Sequence, residues 1–250
     1  MIKELKILSG HGRQFIPDLR KQPVSERFRG LPVITDDITG NEIKVVSAMC
    51  PVNAIDRQSG AIDLGKCAFC NECALLLPGK IRFTNDYRVA SNKREDLLIR
   101  PGQAEPLRID EAVVRKDVRR LFKKALKLRE VSAGGDNSCE MELAATGNVN
   151  FDFGRYGIEF VASPRHADGI VITGPMTENM ATALEICYDA VPSPKVIILA
   201  GTDAISGGIF EGSPALNRSF ISGHHIDLYV PGNPAHPLTF INGVMDLLEL

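Results

Sequence analysis

The sequence predicts an α/β parallel sheet preceded by a small α+β domain. Three observations carry that prediction. Apolar runs alternate with helical stretches after residue 131, shorter strand-like runs broken by Gly, Pro, Asp and Asn fill residues 31–90, and the charge changes sign near residue 130. Apolar strands alternating with helices build a parallel sheet covered on both faces.

Residues 1–30 read as a polar arm without periodicity, ending at Phe28-Arg29-Gly30. Residues 31–100 form the small domain, with strand-like runs IKVV at 43–46, AIDL at 61–64 and KIRFT at 80–84; Ser59-Gly60 and Asn85-Asp86 are turn signals. Residues 101–130 are a linker, marked by Pro101-Gly102 and Pro106, followed by a helix with Asp110 at its N-cap. Val114, Val118, Leu121, Ala125 and Leu128 recur at helical spacing, and Arg115, Lys116, Arg119, Arg120, Lys123, Lys124 and Lys127 occupy the other face. Such a helix either covers its own domain with a solvated basic face or lies on an anionic membrane surface or an acidic partner.

Residues 131–250 form the α/β domain. Strands are expected at 158–161, 169–173, 196–200 and 227–230, and helices at about 139–146, 176–190 and 235–249. Ligands in such sheets bind beyond the carboxyl ends of the strands. The loops expected there are Gly134-Gly135-Asp136, Thr173-Gly174, Gly201-Thr202-Asp203 and Pro231-Gly232-Asn233.

Residues 1–130 hold 25 bases and 17 acids, and residues 131–250 hold 4 bases and 14 acids. Two faces of opposite sign either attract each other or meet different partners. No apolar run is long enough for a signal peptide or a membrane span, so a cytoplasmic location with reduced thiols is expected. Six cysteines there point to metal or redox chemistry before disulfides. No nucleophilic triad, Walker loop or dinucleotide fingerprint is visible, and the basic helix lacks interleaved aromatics, so no nucleic-acid partner is expected.

The cysteine spacing is the most specific signal. Two-cluster ferredoxins repeat C-x2-C-x2-C-x3-C-P, and the fourth cysteine of each run ligates the other cluster. Here Cys67, Cys70 and Cys73 begin one run, and Cys50-Pro51 ends the other. Under crossed ligation, Cys50, Cys67, Cys70 and Cys73 complete one [4Fe–4S] set. The other set falls on Gly40, Ile43, Val46 and Leu77 and is entirely lost. Zinc is the alternative occupant, but zinc sites pair two C-x2-C knuckles and do not use this triple.

FRGLP at 28–32, CPVNAI at 50–55, GAIDLGKCAFCNEC at 60–73 and KREDLL at 93–98 resemble the ferredoxin-type electron-transfer subunit of formate hydrogenlyase and related group 4 hydrogenases. GGDNSCEMELAA at 134–145, FGRYGIEFVASPRHADGIVITG at 153–174, PSPKVIILAGTDAISGGIF at 192–210 and VPGNPAHP at 230–237 resemble the small subunit of group 4 [NiFe] hydrogenases, itself similar to the 20 kDa subunit of complex I. The two resemblances imply a flavodoxin-like α/β domain fused behind a ferredoxin-like domain. They also imply a second, proximal [4Fe–4S] cluster with ligand positions at Asp136, Cys139, Asp203 and Asn233, flanked by Arg165 and His166. Only Cys139 is a thiolate, so that cluster is expected to be absent. Either polar side chains fill its place, or the oxygens of Asp136, Asp203 and Asn233 hold a hard cation, or His224, His225 and His236 contribute to a zinc site. Cys187 reads as a small buried hydrophobe.

The resemblances further imply an electron-transfer subunit, not catalytic alone, of a membrane-associated hydrogenase-related or complex I-like oxidoreductase lacking hydrogenase activity. Its implied partners are a large-subunit homologue of the [NiFe] hydrogenase or complex I 49 kDa type, reached through 134–139, 163–168 and 201–208, and membrane ion- or proton-translocating subunits that hold it at the inner face of the membrane. The alternative is a non-redox scaffold in which the single cluster is structural.

Overall fold

The computed structural model describes residues 2–12, 14–103 and 105–250. Met1 and Arg13 of the expected arm and Ala104 of the expected linker lie outside the described residues. The chain opens with a helix, α1 (Ile2–His11), where no periodicity was expected. It buries none of its residues: Ile2 and Leu8 are 74% and 69% exposed. Ile2, Leu5 and Leu8 do recur at helical spacing, a stripe the sequence reading missed, and the helix leaves that stripe exposed. The arm then docks. Leu19 is fully buried, and its carbonyl accepts hydrogen bonds from Tyr87 Oη and Asn242 Nδ2.

The small unit follows as β1 (Pro32–Ile34), α2 (Gly40–Met49), β2 (Ile62–Asp63), α3 (Glu72–Leu76), β3 (Ile81–Phe83) and β4 (Leu98–Ile99). β1 pairs antiparallel with β3, and β2 with β4. The run IKVV at 43–46, expected as a strand, lies inside α2. The reason is local. The Thr39 hydroxyl accepts from the Glu42 N–H, and Glu42 reaches back to the Thr39 N–H, a capping box that starts a helix just ahead of the apolar run.

The expected helix from Asp110 to Arg129 is also corrected. Only α4 (Lys116–Phe122) is helical, and Leu126–Ser132 is strand β5. Leu126 and Leu128 are buried with Lys127 exposed between them, a period of two that the coarser helical spacing concealed. Leu121, assigned to the apolar face, is 53% exposed, whereas Phe122 is buried. Asp110 caps no helix; it pairs with Lys93. Nor is the basic face simply solvated: Arg115 makes two hydrogen bonds, of 2.9 and 3.1 Å, to the buried Asp227 carboxylate.

After β5 come α5 (Ser138–Ala145), β6 (Ile158–Phe160), β7 (Gly169–Thr173), α6 (Glu178–Ala190), β8 (Val196–Ala200), α7 (Thr202–Ser206), α8 (Ser219–Gly223), β9 (Leu228–Val230) and α9 (Pro237–Leu248). The five strands are parallel in the order β6-β5-β7-β8-β9. Numbered within the sheet this is 2-1-3-4-5, consistent with a flavodoxin-like α/β domain, and the strand order reverses between β5 and β7. β7 and β8 are buried along their whole length, as central parallel strands are. α9 buries every residue but Asp246, so it is a core helix.

The charge asymmetry has a structural counterpart. The ion pairs Arg20–Asp246, Lys66–Glu211, Arg115–Asp227, Arg119–Glu249 and Lys127–Glu159 all take their cation from residues 1–130 and their anion from residues 131–250. Cys187 lies on α6, partly buried and packed against the core, close to the small buried hydrophobe expected.

Candidate metal centre and the strand-end pocket

Cys50 caps the carboxyl end of α2, Cys73 lies in the first turn of α3, and Cys67 and Cys70 lie on the loop between β2 and α3. That loop is shaped by its backbone. Phe69 and Asn71 hold left-handed conformations at φ +51° and +75°, and the Cys67 N–H donates to the Asp63 carbonyl at 2.9 Å. The result is convergence. All four cysteines line one pocket, walled otherwise by Val46, Val52, Ile55, Ile62 and Phe83 among others.

Cys67 is buried, Cys50 and Cys73 are half-buried, and Cys70 is exposed. Burial pushes the Cys67 thiol up to about 12 and the Cys73 thiol up to about 11, with the neighbouring cysteines adding to both. Two backbone donors already face sulfur: Ala54 N–H donates to Cys50 Sγ and Phe69 N–H to Cys67 Sγ, each at 3.3 Å. Soft sulfur donors in a dry wall, with amide hydrogen bonds to the sulfurs, fit an iron–sulfur cube.

The positions of the lost set are filled. α2 runs through Gly40, Ile43 and Val46; Ile43 and Val46 are buried, and Leu77 packs against the same core.

The altered pocket lies at the carboxyl ends of β5, β8 and β9. Asp136 accepts from the Ser138 N–H and hydroxyl at 2.9 and 2.6 Å, and these bonds hold its carboxyl below the usual range. Cys139, in the first turn of α5, is buried and pushed up to about 12 by that burial. Its Sγ lies against Gly201, where a Cβ would come within 2.4 Å of it; Gly201 has φ +89°. Asp203 is half-buried, and burial together with Asp136 raises its carboxyl. Asn233 is exposed.

Among the described residues no three His, Cys, Asp or Glu side chains gather closely enough to share one metal ion. The same holds for Cys50, Cys67, Cys70 and Cys73, which line one pocket without closing round a single ion. His224 and His225 precede β9 and His236 follows it, so the strand itself separates them. His224 stacks on Phe220, and His236 caps α9.

The placing of Arg165 and His166 is corrected. In the sheet register, Phe160 of β6 pairs with Leu128 of β5, which pairs with Gly169 of β7. The chain leaving β6 is therefore already level with the start of β7. Arg165 and His166 share a cavity with Ala125 and Pro192–Pro194, residues that precede β5 and β8. They lie at the amino end of the sheet, away from Asp136 and Asp203.

Two residues escaped the sequence reading. Arg94 binds Asp63 beneath the cysteine loop. Arg218 closes the carboxyl end of α7, donating to the carbonyls of Ala204 and Ile205 at 2.8 Å each. Neither carries a local signal, because both act on partners distant in sequence.

Residues 137–247 match the family described as NADH ubiquinone oxidoreductase, 20 Kd subunit. The match begins beyond all four cysteines of the first site. The chain is 34% identical over 119 residues to the probable membrane-bound hydrogenase subunit mbhJ of Pyrococcus furiosus, covering 48% of this chain and 71% of that protein. It is 38% identical over 112 residues to an NADH-quinone oxidoreductase subunit of Desulfovibrio desulfuricans, covering 45% of this chain and 61% of that protein. It is 40% identical over 111 residues to an F(420)H(2) dehydrogenase subunit of Methanosarcina mazei, covering 44% of this chain and 60% of that protein. The chain thus spans about three fifths of the length of the latter two relatives.

Proposed function

The chain belongs to the family of the 20 Kd subunit of NADH ubiquinone oxidoreductase, and from that premise we propose that it is an iron–sulfur electron-transfer subunit of a membrane-associated, hydrogenase-related or complex I-like oxidoreductase. In this reading residues 31–100 are a ferredoxin-like domain fused ahead of the family domain. Cys50, Cys67, Cys70 and Cys73 hold one [4Fe–4S] cluster, and the proximal cluster is absent. The carrying observation is the convergence of those four cysteines on one apolar pocket, set against carboxylates and an amide at three of the four proximal positions.

When bound, the cluster supplies one-electron storage and release. The chain's own residues do the rest. The four thiols ionise to ligate iron, which for Cys67 and Cys73 opposes their burial, so iron must displace those protons. The Ala54 and Phe69 N–H groups compensate sulfur charge, and the aliphatic wall keeps water away.

No helix of the described residues is long and apolar enough to cross a membrane. The proposed attachment to the inner face of the membrane therefore runs through partners: ion- or proton-translocating subunits and a large-subunit homologue. Exposed Met141 on α5 and exposed Ile209 and Phe210 just after α7 follow β5 and β8 and offer that homologue an apolar face. The alternative, a scaffold with a structural cluster, is favoured by the carboxylates at Asp136 and Asp203, which leave electrons no evident exit within the chain. Iron and sulfide analysis of anaerobically purified chain, with EPR after dithionite reduction, tests the assignment. About four irons per chain and one signal are expected. Eight irons with two interacting signals, or no iron, overturn it. A cluster that the native complex never reduces or oxidises selects the scaffold.

A further inference from the structure

A second cavity, of about 190 Å³, lies between the cysteine loop and the start of α9. Its wall includes Arg27, Phe28, Arg29, Phe69, His236 and Thr239. We propose that it binds a small organic anion, with the apolar body of the ligand against Phe28 and Phe69 and its carboxylate or phosphate held by Arg27, Arg29 and the first turn of α9.

The charge balance of the wall is one-sided. Arg27 and Arg29 are exposed, neither guanidinium makes an ion pair among the described residues, and no Asp or Glu belongs to the wall. Guanidinium groups bind carboxylate and phosphate through matched pairs of N–H donors.

The helix start supplies an independent observation. Pro237 has no N–H, and the Leu238 N–H is taken by His236 Nδ1 at 3.2 Å. Thr239 remains. It is 1% exposed and belongs to the cavity wall, yet neither its hydroxyl nor its N–H has a hydrogen-bond partner among the described residues. The cavity that Thr239 lines gives its hydroxyl and N–H an acceptor when an anion occupies it. α9 is 12 residues long, so its aligned peptide dipoles favour negative charge at the same place.

His236 reinforces the polarity. Its Nδ1 is the acceptor for Leu238, which leaves the ring proton on Nε2 as a further donor, and burial lowers its pKa and keeps the ring neutral. Phe28 meets that ring edge-on at 5.1 Å, and Phe69 stands between Cys67 and Cys70. The ligand would therefore touch the cysteine loop, although the proposal does not depend on a cluster being present.

The test is calorimetric titration of the full chain with benzoate, its neutral isostere benzamide and inorganic phosphate. Benzoate is expected to bind with millimolar or better affinity, and benzamide roughly tenfold more weakly or not at all. The Arg27→Gln/Arg29→Gln double variant alters exposed side chains and should retain the wild-type melting temperature while weakening benzoate roughly tenfold. Thr239→Val should weaken it about fivefold. Phosphate binding that the double variant abolishes supports the anion contact. Failure of both benzoate and phosphate to bind, equal binding of benzamide, or benzoate binding unchanged in the double variant overturns the proposal.

Discussion

Arg94 grips Asp63 with two parallel hydrogen bonds, Nη1 to Oδ1 at 2.9 Å and Nη2 to Oδ2 at 2.7 Å. The same carboxylate accepts the Gly65 N–H at 2.8 Å, and the Asp63 carbonyl accepts the Cys67 N–H. Arg94 also lies against Gly65, where a Cβ would sit 2.8 Å from both Arg94 Cζ and Ile205 Cγ2. One ion pair thus shapes the cysteine loop and abuts α7, the helix that carries Asp203.

Arg94→Ala should therefore destabilise the chain by about 2 kcal/mol, because the 13%-exposed Asp63 side chain loses a bidentate, charge-assisted partner. Iron content after anaerobic purification should fall with it. Thermal melts and iron analysis check this, and Arg94→Lys should recover only part of the loss, since an ammonium cannot reproduce the fork. A variant with wild-type melting and full iron would remove the pair from the site's framework.

Cys70→Ser should abolish the single EPR signal, whereas Cys139→Ser should leave signal and iron content unchanged. The motivation is position: Cys70 shares the pocket of Cys50, Cys67 and Cys73, while Cys139 lies apart against Gly201. A signal lost on changing Cys139 would reinstate the strand-end pocket as a cluster site.

Glu130 on β5 should make the fold weaken as pH rises through neutrality. Burial, and then the charge of Glu140, push its carboxyl up from 4.5 to about 7, against a smaller opposing effect of Arg129. The folded state therefore keeps a proton that the unfolded chain has lost above pH 4.5, and stability falls between pH 4.5 and 7. Glu130→Gln removes that penalty. Its gain over the parent should grow across this window and level off above it at about 1 kcal/mol, once solvent contact of the half-buried carboxyl is allowed for. Denaturant melts of both proteins at pH 5 and pH 8 measure it; an equal difference at both would contradict the assignment.

The native complex should neither evolve nor take up hydrogen: in the proposed reading Asp136, Asp203 and Asn233 stand at the proximal positions, with hard oxygens in place of soft thiolates. Amperometric assay under hydrogen, with methyl viologen as acceptor, is the measurement. Robust uptake would sink this prediction.

Met141→Glu and Phe210→Glu should reduce co-purification of the large-subunit homologue without unfolding the chain, since these side chains are 67% and 46% exposed. Arg165→Ala, at the amino end of the sheet, serves as the control and should retain the partner. If Arg165→Ala alone releases it, the docking face is at the other end of the sheet.

The sequence by itself carried whatever is written locally. GIVIT and VIILA are apolar at every position but the terminal Thr173, and the strands they predict stand at Gly169–Thr173 and Val196–Ala200. The spacing of Cys67, Cys70 and Cys73 pointed to a candidate ligand set, and with Cys50 these residues line one pocket. The capping box at Thr39 is equally local but went unread, because the β-branched run behind it reads as a strand. Tertiary structure decided what no neighbour encodes. Leu126–Ser132 is a strand because β6 and β7 flank it, and Arg115 leaves its expected basic face because Asp227, 112 residues away, is buried beside it. Arg165 and His166 were placed at the wrong end of the sheet because which end a loop occupies depends on register between strands. Register is set by backbone hydrogen bonds to other strands and by the core they enclose, and a residue's own neighbours in sequence do not specify either.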